Sequence, residues 1–116
     1  MIIVNKDEFN REYQEIFADF ENIQKLIKDQ SIISFFVSTK YVEIVLLNLK
    51  IELQIFKKLL EDDGSNRKIL TECQNNAMLY RDELMNMISI AQNAKGMVLK
   101  TSATRIKKYL SKSLGG

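Results

Sequence analysis

The chain contains no proline, and two of its four glycines are its last residues. Proline and glycine are the residues that most strongly interrupt helices, so a sequence nearly free of them favours long ones. Its 116 residues suit one domain around a single core. With 46% hydrophobic and 28% charged residues, it reads as a folded, soluble chain rather than a disordered one.

Apolar spacing predicts where the helices run. Phe9, Tyr13, Ile16, Phe20, Ile23 and Ile27 recur at alternating steps of four and three, the heptad-like period of a helix. Asn5 is placed to cap this first helix, with Glu8 completing a capping box and Val4 and Phe9 in the hydrophobic-staple positions. Asp7 and Glu8 suit the positive end of the helix dipole.

A second helix is expected over residues 39–61. It carries two apolar stripes: Val42, Leu46, Leu49, Leu53, Phe56 and Leu60 form one, and Ile44, Leu47, Ile51, Ile55 and Leu59 the other. A helix apolar on two sides must be covered on two sides, so it is expected at the bundle centre or against another chain. The stretch SIISFFVS before it has strand-like residues that MIIV could pair with. Two isolated short strands are marginal, which favours reading it as the opening turns of the second helix, entered from Ser31.

A third helix should begin near Ser65 or Asn66 after the acidic turn EDDGSN. Its seam is Leu70, Cys73, Ala77, Tyr80, Leu84, Met87, Ala91 and Ala94, and Gly96 is a natural end. Beyond it, a capping Ser102 and the apolar positions Val98 or Leu99, Ala103, Ile106, Leu110 and Leu114 describe a short basic amphipathic helix. Such a helix is near the length limit for stability alone, so it needs something to fold against. The predicted fold is all-α: a three- to four-helix bundle of long antiparallel helices with this short C-terminal helix. Residues 1–96 form the bundle core and residues 97–116 the basic segment, within a single domain.

Charge is unevenly placed. Residues 1–63 hold eight basic and twelve acidic side chains, while residues 84–116 hold six basic and no acidic ones. The basic block has three readings besides a fourth helix docked on the acidic first one. Its cations and the Tyr109 ring could serve nucleic acid, but the remainder of the chain is acidic and no helix-turn-helix pattern occurs. As a membrane-surface helix it is short and lacks Trp and Phe. As a partner-binding element it offers Leu99, Ile106 and Leu110 as apolar anchors beside Lys100, Arg105, Lys107, Lys108, Tyr109 and Lys112. Met78, Met85, Met87 and Met97 cluster in the second half, where gap-filling core is favoured over an adaptable binding surface.

Several chemistries find no support. Histidine is absent and one cysteine cannot build the Cys/His ligand sets of a zinc site, and the Glu-x-x-His pair of di-iron bundles cannot occur. Glu8, Glu12, Glu15 and Asp19 read as a solvated acidic face. In EDDGSNRKILTE the glycine sits too early for a calcium loop. Cys73 has no histidine to activate it and lies in a helix seam, so it reads as a structural thiol, and no disulfide can form within the chain. No phosphate-binding glycine loop or nucleophile elbow occurs. No cofactor is implied and no enzyme is expected.

The start, MIIVNKDEF, lacks the pattern of a signal peptide, and Lys40, Glu43, Lys50 and Glu52 interrupt the most apolar region before it reaches the ~18 residues of a membrane span. A cytoplasmic, non-catalytic protein that binds another protein is therefore expected, in an adaptor, inhibitor or secretion-chaperone-like role. The alternative is a nucleic-acid-associated protein using the basic segment on phosphates. Two apolar stripes on one helix also suit a homodimer.

Overall fold

A computed structural model describes the backbone of residues 5–114 and the side chains of residues 5–98. The chain is an all-α bundle of four helices: α1 (Asp7–Ile27), the single turn α2 (Gln30–Ile33), α3 (Thr39–Glu61) and α4 (Arg67–Leu114). No strand occurs among the described residues. The MIIV segment and Val4 lie outside them.

The three long helices share one core. Ile16, Phe20 and Ile23 from α1, Val42, Val45, Leu49 and Leu53 from α3, and Ala77, Leu84 and Ile88 from α4 bury together, closed above by Ile32 of α2. A second cluster at the foot joins Phe9, Phe56, Leu70 and Cys73. Tyr13 links the two, with its ring 5.9 Å from Phe17 and 5.8 Å from Phe56. These are the seams expected from sequence, extended by Val45 and Ile88. The Arg67 guanidinium lies over the Phe9 ring at the foot, Arg81 meets Asp19 midway at 3.4 Å, and Lys95 reaches Ser31 at the head. α4 therefore runs parallel to α1 and antiparallel to α3.

Three local expectations change. The capping box does not form: α1 begins at Asp7 behind Lys6, whose side chain makes no cap, and Asn5 Oδ1 accepts only from the Asp7 N–H at 3.0 Å. SIISFFVS is helical only at its start, ending at Ile33. Ser38 is extended (ψ 110°) and its hydroxyl accepts from the Tyr41 N–H, which caps the new helix that begins at Thr39. Gly96 does not end a helix, because the backbone of α4 continues through it to Leu114. The expected start holds, with Asn66 Oδ1 accepting from the Ile69 N–H at 2.9 Å.

Sequence reasoning gave no hint of Lys6 as a cap. Its ammonium donates to the carbonyls of Leu60 (3.2 Å) and Asp62 (2.7 Å), capping the C-terminus of α3 from the start of α1. The Leu60 carbonyl is one of the last of α3, the Asp62 carbonyl also accepts from the Ser65 N–H at 3.2 Å, and both sit at the negative end of the dipole, where a cation is favourable.

At 1.5 Å per residue α4 is about 72 Å long and α3 about 34 Å. α4 accounts for most of the molecule's 86 Å long axis. The radius of gyration, 21.2 Å, far exceeds the ~13 Å of a compact domain near this size.

Candidate protein interface

The two stripes of α3 have different fates. The inner one is spent on the core: Val42, Val45, Leu49, Leu53 and Phe56 are buried. Leu46 and Leu60 are half-buried at its edge. The outer one stays open along most of its length, with Ile44, Leu47, Ile51 and Ile55 exposing 47%, 55%, 44% and 44% of their surface, while Leu59 is half-buried against the cluster at the foot. The expected cover on two sides is therefore present on one, because α1 and α4 both pack on the inner side of α3. Four large aliphatics in helical register make one continuous exposed apolar stripe.

At the head of the bundle the chain between α2 and α3 builds an apolar groove of about 130 Å³. Phe35, Val37 and Tyr41 form one wall, and Met87 and Ile90 of α4 the other. Val37 is fully exposed and Ile90 half so. The groove is lined by the non-helical residues 35–38 between the end of α2 at Ile33 and the start of α3 behind Ser38. Tyr41 is fixed across it by a hydrogen bond from its hydroxyl to the Glu83 carboxylate. That bond, with burial and the nearby negative charge, raises the Tyr41 pKa above its ordinary value.

A short network ties the start of α2 to α4. Asp29 caps α2, accepting from the Ser31 N–H (2.9 Å) and Ser31 hydroxyl (2.7 Å), and Lys95 Nζ donates to the same hydroxyl at 2.8 Å. The bonds from Ser31 hold the Asp29 carboxyl below its usual range. Lys95 stands at the root of the basic block. The residues singled out there, Leu99, Lys100, Arg105, Ile106, Lys107, Lys108, Tyr109, Leu110 and Lys112, all have helical backbone on α4. Their side chains lie outside the described residues. The groove residues Phe35, Val37 and Ile90 escaped sequence reasoning; the signal present was the paired serines, Ser34 and Ser38, around an apolar triplet.

The methionines divide. Met78 and Met87 pack on the core, while Met85 and Met97 are exposed. A wider depression of about 360 Å³ between α1 and α4 has a mixed lining, with Asp19, Asn22, Ser89 and Gln92 beside Leu26 and Met85.

Cys73 is buried, and its thiol donates to the Glu52 carbonyl at 3.6 Å. Burial, together with that bond and the Glu52 charge, pushes its pKa up to about 12. A thiol held this firmly in its protonated form is a poor nucleophile. Among the described residues no cluster of acidic side chains and cysteine is placed to hold a metal ion. No helix among them is long and apolar enough to cross a membrane.

Comparison with protein families, curated proteins and solved structures finds nothing that matches this chain.

Proposed function

We propose that this is a non-catalytic cytoplasmic protein that binds another protein in an adaptor, inhibitor or secretion-chaperone-like role. The contact is made by the apolar surface at the head of the bundle and the basic C-terminal helix. The observation that carries the reading is an open apolar groove, walled by Phe35, Val37 and Ile90, on a helix that carries only basic charges beyond Glu83. An apolar groove supplies affinity by taking surface out of water. Cations beside it speed and orient the encounter with an acidic partner.

Capture from nuclease-treated lysate of the native source tests this, comparing the full chain with one ending at Lys95. The expected result is a protein retained by the full chain at moderate salt and lost on truncation. The nucleic-acid alternative rests on the six cations that follow the last acidic residue, Glu83. It predicts retention only when nuclease is omitted, falling steeply with salt as counterions are released. That outcome would replace the protein-binding reading.

A further inference from the structure

We infer that the depression between α1 and α4 receives the basic C-terminal helix of a second copy, which accepts the first copy's helix in return across a two-fold axis. The depression, about 360 Å³, has an apolar floor of Ile23, Leu26, Met85 and Ile88, of which Leu26 and Met85 are exposed. α4 itself passes the head of the bundle, marked by the bond from Lys95 to Ser31, and runs on as helix for about 28 Å to Leu114.

One stripe of α4 joins the two. Met85, Ile88 and Gln92 line the depression. Gly96, Leu99, Ala103, Ile106 and Leu110 continue from them at steps of three and four. Closed two-fold pairing requires a surface complementary to itself, and this stripe meets that condition when two copies of α4 run antiparallel. With the axis between Lys95 and Gly96, Ile106 falls opposite Met85 of the second copy, Ala103 opposite its Ile88 and Leu99 opposite its Gln92. Each C-terminal helix then occupies the other copy's depression.

Charge selects both the occupant and its direction. In this register Lys107, Lys108 and Lys112 come opposite Leu84, Glu83 and Leu79 of the second copy. That stretch carries Asp82 and lies beside Asp19 of α1, with Glu15 one turn below. Glu8, Glu12, Glu15 and Asp19 lead along α1 at helical spacing into Asn22 and Leu26, so its acidic face adjoins the depression. Arg81, the one basic residue of the stretch, is already bound to Asp19 and Asp82. Parallel pairing would instead set the cations of one copy on those of the other, which is repulsive. Lys95 meets its own copy near the axis, but its ammonium is engaged by the Ser31 hydroxyl, itself bonded to the Asp29 carboxylate. The chain's own C-terminal segment reaches the depression only by breaking a helix that runs unbroken through Gly96.

Paired from Arg81 to Leu110, the two α4 helices touch over about 45 Å, at a helix width of 10–12 Å. That is less than the ~800 Å² per partner of a standard interface. The dimer is accordingly a reversible one, with dissociation in the micromolar range. The head groove of Phe35, Val37 and Ile90 uses another flank of α4 and stays open. Self-association is read on the pure protein alone, so this inference and the protein-binding reading fail separately.

Sedimentation equilibrium of the nuclease-treated full chain across the micromolar range is the first test. Wild type should pass reversibly from monomer to dimer, and association should weaken as salt rises. Met85→Lys and Ile106→Lys should each weaken it at least tenfold while the bundle stays folded by circular dichroism. The occupant is read from a Cys73→Ala chain carrying both Met85→Cys and Ile106→Cys, oxidised with a glutathione couple. In one straight helix these two positions are about 32 Å apart, too far to join within a chain. The expected product is a disulfide-linked dimer. A chain that stays monomeric throughout, or association indifferent to both lysine substitutions, would overturn the inference. So would a disulfide closed within one chain, which would show the segment folded back on its own bundle.

Discussion

At the scale of single residues, Cys73 makes the sharpest statement. Its thiol is harder to ionise when folded than its ordinary value near 9, rising to about 12. A group whose pKa is raised by folding contributes stability that is fully present below the unfolded value and lost as pH rises through the folded one. Chemical denaturation across alkaline pH should therefore show wild-type stability falling between about pH 9 and 12, with a slope that Cys73→Ala makes shallower. A disulfide reagent should label Cys73 at neutral pH only as fast as the bundle opens. Rapid labelling of the native protein would show that the thiol is not sequestered.

At the scale of the element, the sequence's local signals were readable where the physics is local. Helical period marked the inner faces of α1, α3 and α4, because burial repeats every three to four residues whatever the partner. Asn66 announced the start of α4 because its side chain accepts from an amide three residues on. What the period could not convey was which stripe of α3 would be covered, since that depends on where α1 and α4 pack. Nor could it reveal Lys6, whose carbonyl partners lie more than fifty residues away. Lys6→Met should lower stability by about 1 kcal/mol in urea unfolding, as two end carbonyls lose a charged donor.

Gly96 illustrates the same limit. Glycine costs about 1 kcal/mol in a helix interior relative to alanine, a penalty that neighbouring helix formers can outweigh. A methyl group there would meet nothing within 4 Å. Gly96→Ala should therefore raise helicity and stability by roughly 0.5–1 kcal/mol, measured by circular dichroism and thermal melting. If the helix ended there in a left-handed turn, the same substitution would destabilise it.

For the whole molecule, the last buried residue among the described side chains is Ala91, while the helical backbone continues to Leu114. A chain ending at Lys95 should consequently fold with a cooperative melt close to that of the full protein. Its loss of structure would mean that residues 97–116 help to hold the bundle. The charge asymmetry was legible from sequence, and so was the basic segment at one end. The groove beside it was not, because it depends on how the non-helical residues 35–38 lie beside Met87 and Ile90, which are fifty residues further along the chain.

That groove is where the functional reading can be struck most directly. Val37 is fully exposed, so Val37→Asp should leave folding intact while placing an unpaired charge in an apolar contact. Quantitative capture from nuclease-treated lysate, wild type against Val37→Asp, should show a protein partner retained by the first and largely lost by the second. Equal retention by both would contradict the account and move recognition away from the head of the bundle.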